Sequence, residues 1–161
     1  MGISIVSVGK NKDRYIKEVS DEYCKRLSPF SKVDLVYLPD VPLTKSSNRE
    51  IVVDKEGKII ENYLNERLKK SSKPLFLVTL DYKGTQYSSE DFAKIIEEKN
   101  SSLDLIFIIG GVYGLSQNIL NRADLHLSLS KMTFTHQMTR IILLEQIYRS
   151  FTIINGKKYH Y

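Results

Sequence analysis

The sequence predicts an α/β fold, a mostly parallel sheet flanked by helices, in a single domain over residues 1–161. Leu75-Phe76-Leu77-Val78-Thr79-Leu80 and Leu105-Ile106-Phe107-Ile108-Ile109 are continuous apolar runs too short for helices, as strands buried on both faces would be. Strand-like and helix-like segments alternate along the whole chain, and its 42% hydrophobic side chains are enough for one packed core.

Ile3 to Val8 is a short apolar segment that stops at Gly9 and reads as the first strand. Tyr15, Ile16, Val19, Tyr23 and Leu27 recur at spacings of three and four, so a helix spans about 13–27 and closes at Ser28-Pro29. Val33 to Leu38 is the second strand, ended by Pro39, and 39–47 is an aperiodic surface loop with two prolines. Ser47-Asn48-Arg49-Glu50 fits a capping box that opens a long helix to about Lys69. After the strand at 75–80, Asp81-Tyr82-Lys83-Gly84 reads as a turn, and Ser88 or Ser89 caps a helix carrying Phe92, Ile95 and Ile96.

The strand at 105–109 breaks at Gly110-Gly111, a short helix begins near Ser116, and Leu125 to Leu129 alternates as a strand. Ser130 to Thr135 is then a long, partly buried loop. The last helix, about His136 to Thr152, carries Ile141, Leu144, Tyr148 and Phe151 on one stripe and Met138, Ile142 and Ile147 outside it. That excess fits either a subunit partner or a helix sunk in its own core.

Composition narrows the function. No apolar run of eighteen residues and no secretory leader occur, so the expectation is a cytosolic protein without membrane association. One cysteine, Cys24, and histidines 10 and 24 residues apart exclude a disulfide scaffold and a structural zinc site. The net charge of +5 is concentrated at both ends: seven basic against four acidic residues in 10–32, and four against one from Arg140 onward. A polyanionic partner such as nucleic acid fits that distribution.

In a parallel sheet, ligands gather beyond the carboxyl ends of the strands, which here means Leu80-Asp81, Gly110 to Gly114, and Ser130 to Thr135. The glycine segment lacks the dinucleotide fingerprint, because Ile109 stands where its first glycine belongs, and no P-loop occurs. It is either a tight connection or a close-approach ligand loop. His136 is a general-base candidate or a helix-start structural residue, and Glu145 either pairs with Arg149 at i+4 or faces solvent. The tail Asn155 to Tyr161 joins two cations to aromatic rings that could stack on bases, or is a frayed end.

Several motifs occur in a fixed order: Phe107-Ile108-Ile109-Gly110-Gly111-x-x-Gly114-Leu115, Leu127 to Phe134 followed by His136-Gln137-Met138-x-Arg140, Glu145-Gln146-x-Tyr148-Arg149, and Tyr159-His160. With Val8-Gly9-Lys10, Tyr23-x-Lys25-Arg26-Leu27 and Leu80-Asp81-x-x-Gly84, this order resembles the ribosomal RNA large subunit methyltransferase H family over the whole chain.

The resemblance implies a SPOUT-class enzyme with a C-terminal trefoil knot, a cytoplasmic homodimer that uses S-adenosylmethionine and no metal. The implied substrate is N3 of a pseudouridine in large-subunit ribosomal RNA of the assembled ribosome. Carried over by position, it implies that Leu80, Gly110, Leu129, Ser130, Lys131, Met132, Thr133 and Phe134 bind the cofactor. Arg149, Tyr159 and His160 would be the catalytic, RNA-facing set. Arg149 would hold phosphate or base, Tyr159 would stack or order the tail, and His160 would be a candidate proton acceptor, with the tail closing the partner's pocket. Two positions depart from the family pattern: Thr135 replaces a proline before the loop histidine, and Tyr161 replaces a basic residue after the Tyr-His pair. The first predicts a looser cofactor loop, the second a lost phosphate contact.

Overall fold

A computed structural model describes residues 2–161 and shows strands and helices in strict alternation. These are β1 (Gly2–Val8), α1 (Arg14–Leu27), β2 (Lys32–Leu38), α2 (Arg49–Lys70), β3 (Leu75–Thr85), α3 (Ser89–Asn100), β4 (Asp104–Ile109), α4 (Gln117–Arg122), β5 (Leu125–Leu127) and α5 (His136–Ile154). The strands pair in the order β2-β1-β4-β3-β5, every pair parallel. The chain therefore inserts β4 between β1 and β3, then passes β3 to place β5 at the edge.

Both continuous apolar runs are inner strands, for the reason the sequence suggests. Side chains alternate across β4: Leu105, Phe107 and Ile109 enter a core shared with α1, α3 and α5, while Ile106 and Ile108 enter a second core shared with α2 and α4. Phe107 is fully buried and meets Phe92 of α3 edge-on, ring centroids 6.3 Å apart. α5 packs against both α1 and α3, burying Leu143, Leu144, Ile147 and Phe151. Of the apolar residues outside its main stripe, Ile147 lies in this core, Ile142 is half-buried and Met138 is exposed.

Four boundaries differ from the sequence reading. The cap of α2 is Asn48, whose side chain accepts from the Glu50 and Ile51 amides, while Ser47 Oγ accepts from the Thr44 amide. Asn48 takes the cap because its carboxamide reaches two free donors. Residues 81–84 are an excursion within β3 rather than a turn after it: Leu127 pairs with both Leu80 and Thr85, and the Ser128 amide donates to the Thr85 carbonyl at 2.9 Å. β5 stops at Leu127 because Ser128 Oγ turns to the Tyr82 and Ser130 carbonyls, both at 3.1 Å. α5 runs on to Ile154.

One buried group stands out electrostatically. Arg140, in the second turn of α5, is 0% exposed and lies 4.5 Å over the Tyr37 ring. Its Nη2 donates to Ser7 Oγ at 2.8 Å, while Nε and Nη1 have no hydrogen-bond partner, and no carboxylate pairs with it among the described residues. Unsatisfied buried donors of a charged group are costly. Arg140→Met is therefore expected to raise stability by about 1–3 kcal/mol, read as a higher urea midpoint at unchanged slope. A lowered midpoint would show that the Tyr37 stack and the Ser7 bond outweigh the two orphaned donors.

Candidate active site

The carboxyl ends of β3, β4 and β5 and the first turn of α5 enclose an open cavity of about 660 Å³. Leu80, Ile109 and Leu127, each the last residue or last paired residue before its strand breaks, supply apolar surface, and Leu129 extends it. The three breakpoints singled out in the sequence converge here because all strands point the same way. Of the eight positions expected to bind cofactor, Leu80, Gly110, Leu129, Ser130, Met132, Thr133 and Phe134 line the cavity, and Lys131 does not.

The glycine segment is shaped by close approaches on both sides. A Cβ on Gly110 would sit 2.7 Å from the Gly114 carbonyl carbon, so the turn closes on itself only without a side chain there. A Cβ on Gly111 would sit 2.5 Å from Glu56 Oε2. Glu56 comes from α2, is 4% exposed, and accepts from the Val41 amide through Oε1 at 3.2 Å, while Oε2 has no partner. Burial pushes its carboxyl above the usual range, the Val41 N–H opposes this, and Asp40 adds to it. The segment is thus both a tight connection and a wall of the cavity.

Residues 131–135 are exposed, where the sequence suggested a partly buried loop. The polar run explains the difference: it is held by its own hydroxyls, with the Met132 amide donating to Ser130 Oγ at 3.0 Å. Met132 is 76% exposed and Phe134 43%, so the cavity mouth carries an uncovered apolar rim. Thr135 takes the N-cap of α5, accepting from the Met138 amide at 3.3 Å. A proline there could not offer that oxygen, so the departure from the family pattern anchors the loop's end instead of loosening it.

The tail packs back onto α5 and α3 through Tyr159 and His160. Glu145 Oε1 accepts from Arg149 Nη2 at 2.7 Å, Arg149 Nε at 3.1 Å and the Tyr159 hydroxyl at 3.2 Å. This is the i+4 pairing expected from sequence, extended to the tail. Tyr159 also meets Tyr148 edge-on at 4.9 Å and lies under the Arg149 guanidinium at 4.9 Å. Burial first, then the neighbouring Tyr23 and Glu145, push its phenol up to about 12. His160 Nδ1 lies 3.1 Å from Arg149 Nη1, and Nε2 lies 2.7 Å from Glu90 Oε1. A guanidinium only donates, so Nδ1 accepts and Nε2–H donates to the carboxylate.

The structure therefore makes two groups of the predicted residues. Arg149, Tyr159 and His160 meet one another on α5 and α3, and none of them lines the cavity of its own chain. Sequence reasoning missed Arg49, whose guanidinium lies 5.8 Å over Tyr113 at the mouth, and did not connect Glu56 with Gly111. Those are contacts between distant segments, and no local pattern marks them.

A family model described as "Predicted SPOUT methyltransferase" matches residues 1–160. The chain is 47% identical over 165 residues to the ribosomal RNA large subunit methyltransferase H of Carboxydothermus hydrogenoformans, covering 99% of each. In three dimensions it is similar to a probable methylase family protein of Haemophilus influenzae, TM-score 0.59 at 14% identity, over 99% of this chain and 70% of that one. It is also similar to a Legionella pneumophila protein determined with the cofactor S-adenosylmethionine bound, TM-score 0.50 at 13% identity, over 94% of this chain and 66% of that one. These two likenesses concern the fold.

The raised carboxyl of Glu56 has a consequence for stability. A folded state that holds this proton more tightly than the unfolded chain gains stability below the ordinary carboxyl range and loses it as pH rises through the folded-state value. Glu56→Gln cannot ionise, so its stability relative to the parent is expected to improve between about pH 4 and about pH 8, measured by urea denaturation at both. A constant difference would mean that the carboxyl titrates as it does in the unfolded chain.

Proposed function

This chain belongs to the SPOUT methyltransferase family, and from that premise we propose that it transfers a methyl group from S-adenosylmethionine to N3 of a pseudouridine in large-subunit ribosomal RNA. The substrate is the assembled ribosome, and the enzyme works as a cytoplasmic homodimer whose C-terminal segment follows the knotted path of its class. The observation that carries this reading is the convergence of seven expected cofactor residues on one cavity at the carboxyl edge of the sheet.

The residues present fit the cofactor. The volume lies in the range of small-molecule sites, the strand ends give apolar surface, and the glycine turn admits close approach of a ligand to backbone. Gly110, Ser130, Met132, Thr133 and Phe134 would hold the nucleoside and methionyl parts between them, with Leu80 and Leu129 as apolar walls. Bound there, S-adenosylmethionine supplies a methyl already activated by its sulfonium. What remains for the protein is to align the nucleophilic nitrogen, exclude water and take up the imide proton.

Arg149, Tyr159 and His160 serve the RNA in this reading, Arg149 through phosphate or base and Tyr159 by stacking. Because they lie apart from their own cavity, the partner's tail completes each site, which gives a small domain a reason to dimerise. The exposed Met132 and Phe134 rim is apolar surface that such a partner and the substrate would cover. Tyr161 leaves the tail without a final cation, so the phosphate contact falls to Lys157, Lys158 and Arg149.

The test is transfer of labelled methyl to ribosomes from cells lacking their own enzyme, beside free ribosomal RNA, with the modified nucleoside identified by mass spectrometry. The expected product is an N3-methylated pseudouridine in large-subunit RNA of assembled ribosomes. Truncation after Lys158 and His160→Ala are expected to lower the rate by about 10²-fold or more while calorimetric cofactor affinity changes little. Label in another RNA, or full activity without the tail, would contradict the substrate or the tail assignment respectively.

A further inference from the structure

Removing the imide proton needs an acceptor with a free lone pair within reach of the base. His160 has none in this arrangement: Nδ1 accepts from Arg149 and Nε2–H is directed to Glu90. The cavity itself holds few candidates. Arg49 and Lys83 are cations, Tyr82 and Tyr113 are phenols, and Asp81, whose Oδ1 accepts from the Lys83 amide at 3.0 Å, offers a carboxylate, a weaker base than an imidazole. The remaining titratable side chain in the wall is His136, the first residue of α5.

His136 is partly buried, and its ring makes no hydrogen bond to any described residue. It lies against the end of β1, where Gly9 takes a left-handed φ of 98° and a Cβ would come 3.4 Å from Nε2. Thr135 caps the helix directly before it, so the ring is not needed as the cap. It is thus an imidazole with unused nitrogens, on the wall that seven expected cofactor residues share.

We propose that His136 is the catalytic proton acceptor for the nucleobase imide, an inference that rests on the methyltransferase function proposed above. The N3–H bond breaks and its proton passes to the imidazole. The freed electron pair forms the N3–CH3 bond, and the pair of the breaking C–S bond leaves with the donor's sulfur, which changes from sulfonium to thioether. The imidazolium then returns its proton to water.

The charged surroundings suit this role. Burial, then the Arg140 guanidinium one turn along α5, hold the imidazolium below its ordinary range, and Asp40 on the segment after β2 opposes them. The ring is therefore neutral at physiological pH with a lone pair to offer. Arg140 acts here as a positioning charge, and this gives the costly buried guanidinium a function.

The experiment uses the full-length wild type, His136→Gln and Arg140→Met, each first checked for folding by thermal melt. Three readouts follow: calorimetric S-adenosylmethionine affinity, single-turnover transfer to ribosomes against pH, and NMR titration of the His136 ring in the protein alone. His136→Gln is expected to bind cofactor within about threefold of wild type, to lose about 10²–10⁴ in single-turnover rate, and to lose the acid limb of the pH profile. Arg140→Met is expected to raise the ring's titration midpoint and to move the acid limb by the same amount.

A His136→Gln variant with wild-type rate and acid limb overturns the proposal. So does a variant that only weakens cofactor binding and transfers at the normal rate once saturated, because His136 is then a wall and not a base. An acid limb unmoved in Arg140→Met while the NMR midpoint shifts likewise overturns it. If wild type transfers no methyl to any RNA while binding cofactor, the methyltransferase reading itself fails, an outcome distinct from the other three.

Discussion

Everything in this fold depends on β4 being dry on both faces. Each residue from Leu105 to Ile109 is at most 3% exposed, and successive side chains feed opposite cores. A strand so placed needs a neighbour on each side and a covering layer above and below, the setting in which parallel sheets occur. β1 and β3 supply the neighbours, α1, α3 and α5 one layer, and α2 and α4 the other. The helices that cover β4 are also the crossovers between successive strands, so all the strands run one way and their breakpoints collect at one edge.

The site inherits its division of labour from this layering. Residues that follow β3, β4 and β5 reach the cavity, whereas the tail folds back along α5 to meet α3. Glu145 organises that second group by accepting from Arg149 and Tyr159 through a single oxygen, and Gln146 Nε2 donates to its other oxygen at 2.7 Å. The tail is consequently presented as a unit, with Tyr159 gripped between Tyr148 and Arg149.

Two buried ionisable groups depart from what stability alone would select. Arg140 keeps two donors unsatisfied beside β1, and Glu56 keeps one oxygen unpartnered beneath Gly111. Both lie near the cavity wall, the first one helical turn from His136 and the second beneath the glycine turn. Local conflicts with packing rules concentrate at functional sites, since such charges set proton affinities and loop shapes that a purely apolar core cannot.

Much of this architecture is legible in the sequence because its cause is local. The apolar runs at 75–80 and 105–109, the helical spacing of Tyr15 to Leu27, and the i+4 pair Glu145 and Arg149 are written in periodicities of two and of about 3.6. The family resemblance, and not local periodicity, pointed to seven of the cavity's lining residues. Local pattern erred where two neighbours compete for one donor, as Ser47 and Asn48 do at α2, and where the partner strand decides, as β5 does in absorbing residues 81–84 into β3. Only the tertiary structure decided that Glu56 lies under Gly111, that Arg140 stacks on Tyr37 beside His136, and that His160 has both nitrogens engaged. Those contacts join segments from 11 to more than 100 residues apart, as with Arg149 to His160 and Arg140 to Ser7. Packing of distant surfaces sets them, and no spacing along the chain encodes it.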